Sequence, residues 1–207
     1  NVEEEHVREH GSFAALVQCF RDFIALIPGD GFLVYGADCR VLAELAQAGR
    51  GKRISYGLGS GVQFSATAIC HRQFSVSFQV MVEGEPGPEV HLAVPGAHNV
   101  SNALGVLAAA RELGVALDEA ARALESYRAV ARRFELIGQF RGALVIDDYA
   151  HHPTEVAATL AAARRGFPER RLIAVFQPHL FSRTQRFASD FARELIAADV
   201  VVVNGIY

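Results

Sequence analysis

The sequence predicts an α/β protein in two parts: an α/β segment that carries a small antiparallel meander, then a segment built on a parallel sheet. Three observations support this. Apolar runs alternate with helix-patterned stretches in the last third of the chain, at 142–146, 171–176 and 199–204. Between Lys52 and Val94 the pattern shifts to alternating strands broken by glycine turns, as in Phe74-Ser75-Val76-Ser77-Phe78-Gln79-Val80. Polar and titratable residues recur just after the apolar runs, at the edge where open α/β sheets bind ligands. The two parts divide into residues 1–131 and 132–207, with 128–134 as the candidate linker.

Ser12 is a plausible N-cap for a helix in which Phe13, Leu16, Val17, Phe20, Phe23 and Ile24 follow 3.6-residue spacing, an aromatic stripe expected in the core. Pro28-Gly29-Asp30-Gly31 ends it, and the strand Phe32-Leu33-Val34-Tyr35 follows. Asp38 is expected to cap a second helix that runs through Ala48 and stops at Gly49. The meander then carries turns at 57–61 and 84–87. Gly57-Leu58-Gly59-Ser60-Gly61 looks like a phosphate loop, but no Lys-Ser or Lys-Thr follows and a strand comes next, so a plain loop is expected.

Pro95-Gly96-Ala97-His98-Asn99-Val100-Ser101-Asn102-Ala103 leads into an alanine-rich helix that reaches Leu113 and stops at Gly114. Asn99 and Asn102 share a helix face, where side-chain amides either cap the helix or offer a donor and an acceptor to a purine edge. Asp118 opens another helix to Tyr127. Arg132-Arg133-Phe134 follows, and an arginine at such a junction either reaches a phosphate or forms part of a solvated patch.

The strand at 142–146 runs into Asp147-Asp148-Tyr149-Ala150-His151-His152-Pro153-Thr154-Glu155, which crowds two carboxylates, a phenol and two imidazoles onto one strand-to-helix turn. Pro153 suits the first helical position and Glu155 the first turn. A capping turn with solvated histidines is the bland alternative to a ligand site. The strand at 171–176 ends in Gln177-Pro178-His179, with Ser182 and Arg183 beyond. Phe187, Phe191 and Leu195 stripe the next helix, and Val200-Val201-Val202-Val203 returns as a strand. This is β-α-β-α-β with right-handed crossovers expected. Three parallel strands make a small sheet, so further sequence is expected beyond residue 207.

The chain has 207 residues, 51% of them hydrophobic, enough to bury a full core. A net charge of −3 with interspersed signs excludes a broad nucleic-acid surface, which needs concentrated basic charge. Cys19, Cys39 and Cys70 sit in apolar contexts without metal-ligand spacing, which suits a reducing cytoplasm. Residues 1–6 form neither a signal peptide nor a membrane segment, and no membrane partner is expected. No initiator methionine is present, so the chain is expected to begin inside a larger protein. Nothing specifies an oligomeric state.

In chain order, Asn1-Val2-Glu3-Glu4-Glu5-His6 with His10 before Gly11, then residues 95–103, Arg133-Phe134, residues 147–155 and Phe176-Gln177-Pro178-His179-Leu180-Phe181-Ser182-Arg183-Thr184 together resemble the Mur ligases, and 147–155 and 176–184 resemble their alanine-adding branch. The resemblance implies part of a central ATPase domain, entered after its phosphate loop, followed by part of a Rossmann-like carboxyl-terminal domain. The implied reaction consumes ATP with Mg2+ to join L-alanine to UDP-N-acetylmuramate through an acyl phosphate. This segment without a phosphate loop is not expected to hydrolyse ATP.

By the same resemblance His6 would hold a second magnesium, Asn102 with Asn99 would face the adenine, and Arg133 would meet the phosphates. Asp148 would meet the ribose or bridge the domains, and Tyr149, His151, His179 and Arg183 would line the L-alanine pocket. Leu180 departs from the pattern, since many members carry arginine there. The alternatives are the sister ligase that attaches a recycled tripeptide, a two-metal phosphohydrolase using Asp147, Asp148, His151 and His152, and a non-catalytic nucleotide-binding module.

Overall fold

The computed structural model describes residues 1–4 and 11–207. The chain forms two compact units. The first comprises Asn1–Ile69, Ser77–His91 and Val100–Glu125, and the second Cys70–Val76, Leu92–Asn99 and Ser126–Tyr207.

In the first unit, α1 (Phe13–Ala25) begins as its sequence requires, with Ser12 Oγ accepting the Ala15 amide at 3.1 Å. Its apolar stripe is less buried than expected. Leu16 and Ile24 are in the core, but Phe23 is 69% exposed. Strand β1 (Phe32–Gly36) is followed by α2 (Arg40–Leu45), a short 3-10 turn at Ala46–Ala48, and β2 (Lys52–Tyr56). This is a β-α-β unit, so β1 and β2 pair in parallel from Phe32↔Lys52 to Gly36↔Tyr56. β2 therefore does not belong to the antiparallel meander in which the sequence placed it. It meets β3 (Phe64–Arg72) in parallel at one residue pair, Tyr56↔Phe64.

The meander proper is β3, β4 (Ser75–Val82) and β5 (Glu85–Leu92), completing a five-stranded sheet in the order β1-β2-β3-β4-β5. Two-residue links join its strands, which only antiparallel neighbours permit. Glu83 and Gly84, with φ of 53° and 90°, make the second link. Pro86 and Pro88 fall inside β5, where the edge position of that strand spares the missing amides. Leu45, Ile54, Phe64, Phe78, Val80 and Val90 form this unit's core with Val100, Leu104 and Leu107 of α3 (Ala97–Glu112). Helix α4 (Leu117–Glu125) follows.

Asp38 does not cap α2, whose N-cap is Cys39 without a side-chain bond. Its carboxylate instead accepts the amides of Leu58 at 2.7 Å and Gly59 at 3.0 Å. The glycine loop thus folds around an internal anion, which explains its phosphate-loop look.

In the second unit, β6 (Glu135–Phe140) and β7 (Ala143–Asp147) form an antiparallel hairpin turned by Arg141 and Gly142, both at positive φ. β6 went unseen in the sequence, because its pattern Glu-Leu-Ile-Gly-Gln-Phe contains a glycine and a bulge between Leu136 and Gly138. Helix α5 (Pro153–Gly166) leads to β8 (Ile173–Phe176), then α6 (Phe181–Arg186), α7 (Ala188–Leu195) and β9 (Val200–Val203). β8 and β9 pair in parallel from Ile173↔Val200 to Phe176↔Val203. Asp199 secures this pair by accepting the Leu172 amide at 2.6 Å and Arg164 Nη2 at 2.7 Å.

The strands at 143–147, 173–176 and 200–203 thus do not make one continuous parallel sheet. β7 is bonded to β6 and β8 to β9. A cavity of about 390 Å³ lies against both β7 and β8, lined by Leu144, Ile146, Leu160, Ala174 and Phe176 among others. Val156, Leu160, Phe176, Phe191 and Leu195 form one core of this unit, and Phe134, Ala162 and Ala163 a second.

Candidate functional site

The site grows from the carboxyl end of β7. Asp147 is its last residue, and the turn that follows is held by backbone hydrogen bonds to side-chain carboxylates. Asp148 Oδ2 accepts the Phe134 amide at 2.9 Å, and its Oδ1 accepts the Ala150 amide at 2.8 Å. One carboxylate therefore fixes both the turn and the segment before β6.

That earlier segment is strained. Arg132 and Phe134 both have positive φ, 61° and 52°. The Tyr149 amide donates to the Arg132 carbonyl at 2.7 Å. Arg132 Nε lies 3.1 Å from Asp147 Oδ2, and its guanidinium sits 4.8 Å from the centre of the Tyr149 ring. Phe134 is 8% exposed and packs with Phe74, Ile146, Ala162, Ala163, Phe167 and Leu172. Between a pinned neighbour and a buried one, Arg133 keeps half of its side chain in solvent.

Glu155, in the first turn of α5, is the second hub. One oxygen accepts the amides of His151 at 2.9 Å and His152 at 3.3 Å, and lies 3.4 Å from His151 Nδ1. The other oxygen stands 3.8 Å from Arg133 Nη1. His151 Nδ1 also lies 2.9 Å from the Tyr149 carbonyl, and the two rings meet edge to face at 5.2 Å. A carbonyl only accepts, so this bond requires a hydrogen on Nδ1.

The two histidines of the turn differ. His152 is 6% exposed and packs edge to face on Phe187 at 5.0 Å, so it is a core residue. Asp148, Tyr149 and His151 lie together in the turn, and Glu155 and Asp148 link Arg133 and its neighbour Phe134 to it. Glu155, Arg132 and His98 were missed as members of the site. His98 has its pKa pushed down by desolvation, with Asp148 opposing and Arg133 adding to the shift. Its position immediately before Asn99 was the signal available.

After β8, His179 stacks on Tyr207 with ring centres 5.8 Å apart, and Leu180 sits at φ 70°. The Leu180 amide donates to the Tyr207 carbonyl at 3.0 Å and the Tyr207 amide to the Pro178 carbonyl at 2.9 Å. Arg183 is half-buried in α6. Asn99 Nδ2 donates to the Pro95 carbonyl at 2.6 Å, so it braces the entry to α3 rather than capping helix amides. Asn102, one turn on, is exposed. His6 lies outside the described residues. Among the described residues no three His, Cys, Asp or Glu side chains gather as a metal site, and no helix is long and apolar enough to cross a membrane.

Residues 1–110 match the Mur ligase middle domain, and residues 132–206 match the Mur ligase glutamate ligase domain. The chain belongs to the Mur ligase family. This Mur ligase chain is 40% identical over its whole length to the UDP-N-acetylmuramate--L-alanine ligase of Magnetococcus marinus and 42% identical to that of Renibacterium salmoninarum, covering 45% of each. It therefore spans about half the length of the relatives it matches. The crystal structure of the UDP-N-acetylmuramate-alanine ligase of Thermotoga maritima superposes with a TM-score of 0.78 at 28% identity, over 99% of this chain and 44% of that one.

Proposed function

We propose that this Mur ligase chain is part of a cytoplasmic enzyme that joins L-alanine to UDP-N-acetylmuramate at the expense of ATP. The observation that carries the reading is likeness along the entire chain, at about 40% identity, to relatives bearing that name. The site geometry supports it. An amide-forming ligase needs a cation for phosphate, an acceptor for the proton of the incoming amine and a cation for the amino-acid carboxylate.

Arg133, held outward between Arg132 and the buried Phe134, suits phosphate. Asn99 and Asn102 offer amide groups to the purine, and Asp148 retains lone pairs for a ribose hydroxyl or an inter-domain bridge. Tyr149, His151, His179 and Arg183 would contact L-alanine, with Arg183 taking the carboxylate in place of the arginine that Leu180 lacks. The γ-phosphoryl group passes to the muramoyl carboxylate. The deprotonated amine then attacks the acyl phosphate, a C–N bond forms, the C–O bond to phosphate breaks, and phosphate leaves with the proton that nitrogen gives up. His6 would bind a magnesium ion that draws the two anions together.

The division into a central part, 1–131, and a carboxyl-terminal part, 132–207, belongs to the same proposal. The test is ADP release by the full-length protein with UDP-N-acetylmuramate, offered L-alanine, the recycled tripeptide or no acceptor. Turnover with L-alanine is expected. Turnover with the tripeptide alone assigns it to the recycling ligases, and phosphate release without acceptor makes it a hydrolase.

A further inference from the structure

We propose that Glu155 is the positioning residue that makes His151 a proton acceptor for the incoming amine. The inference rests on the ligase reading and deepens it by naming the residue behind His151. Three observations converge on it. Two acceptors face His151 Nδ1, the Tyr149 carbonyl at 2.9 Å and the Glu155 carboxylate at 3.4 Å, so the ring is held with hydrogen on Nδ1 and the lone pair on Nε2. The same Glu155 oxygen holds the His151 backbone amide at 2.9 Å, which fixes the residue from which the ring projects. The side chains of His151 and Glu155 are only 24% and 31% exposed, so bulk water does not dilute the contact fully.

An amino acid arrives at neutral pH mostly as an ammonium ion, which has no lone pair for attack. Proton transfer from that ammonium to Nε2 leaves a neutral amine and an imidazolium. Glu155 then faces the new positive charge through Nδ1–H. The amine forms the C–N bond as phosphate leaves with the C–O bonding pair, and the departing phosphate takes the second proton that nitrogen must lose to become the amide. A carboxylate behind an imidazole serves in the same way in hydrolytic triads: it selects the tautomer and supports the cation without taking the proton. Glu155 also stands 3.8 Å from Arg133, so the carboxylate links the amine-handling ring to the phosphate-handling cation.

Glu155 caps the start of α5 as well, and the substitution must separate the two tasks. Glu155→Gln keeps an oxygen for the backbone amides and removes the charge. In the full-length enzyme we expect kcat with L-alanine to fall by about 10- to 100-fold, with the KM for ATP within about twofold of the parent. Nitrogen-15 spectra of histidine in the unliganded full-length protein should show the Nδ1–H tautomer for His151, with that preference weakened in Glu155→Gln. An Nε2–H tautomer in the parent, or an unchanged kcat in the variant, overturns the proposal. Failure to use L-alanine at all would instead overturn the ligase reading, and the tautomer measurement would still decide the role of Glu155.

Discussion

Asp148 Oδ2 holds the backbone amide of Phe134 at 2.9 Å, across fourteen positions of sequence, while its other oxygen holds Ala150. The bond ties the turn after β7 to the residue that follows Arg133. Asp148→Ala leaves two partly buried amides without their acceptor, a loss of about 1–3 kcal/mol. Asp148→Asn keeps an acceptor oxygen and should cost less. Thermal unfolding of the two variants checks the order, and equal losses would contradict it.

Phe134→Ala should be more damaging. Phe134 is 8% exposed and meets Phe74 edge to face at 6.1 Å. Truncation of a buried phenylalanine costs about 3–5 kcal/mol. Arg133 loses its anchor at the same time, so the KM for ATP should rise along with the drop in melting temperature. Steady-state kinetics below the variant's melting point measures the second effect separately.

Acid should weaken the second unit in two steps. The pKa of His71 is lowered by burial and then by Arg165, and that of His98 by desolvation and then by Arg133 against Asp148. A lowered histidine binds protons more readily in the unfolded chain, so stability rises with pH and is lost as pH falls below about 6.5, the unfolded value. Asp199 acts lower down. Arg164, and next the Leu172 amide, hold it at about 2, against 3.8 unfolded. Its contribution is present above 3.8 and disappears as pH falls through about 2. Melting temperatures from about pH 7.5 to about 5.5 should decline, and His71→Gln with His98→Gln should flatten the decline.

The loop at 57–61 tolerates no side chain at Gly57. A Cβ there would stand 2.7 Å from Asp38 Oδ1, and moving that carboxylate gives up the Leu58 and Gly59 amides. Gly57→Ala should therefore cost about 1–3 kcal/mol. Gly61, at φ 78° with no atom near a built Cβ, should instead suffer only from backbone strain of about 1–2 kcal/mol. Denaturant midpoints compare the two, and adding Asp38→Ala should shrink the Gly57 penalty but not the Gly61 one.

Tyr149, His151 and Asp148 fall in one turn because they are nearly consecutive, and Arg133 was marked by its place at the junction between the two parts. What escaped were partners chosen by proximity in space. Asp38 looked like a helix cap, since a carboxylate before a helical pattern normally is one, but amides twenty residues away compete for it and win. Asn99 looked like a cap or a purine contact; its amide nitrogen braces the Pro95 carbonyl rather than capping helix amides. His152 could not be told from His151 by residue type, and only burial against Phe187 separates a packed ring from a chemical one.

Local physics was enough for the α/β class, the Ser12 cap, the Pro153 helix start and the glycine stops, because each depends on neighbours within a turn or two. Strand pairing was not accessible that way. Whether β2 joins β1 or the meander, and whether β7 lies against β8 or only against β6, depends on which distant backbone edges can be brought together at the lowest loss of chain entropy and exposed polar groups. The hydrogen bonding of His151 Nδ1 belongs to the same class. It is set by the Tyr149 carbonyl and the Glu155 carboxylate converging on one nitrogen, a convergence that residue types announce but only the folded turn imposes.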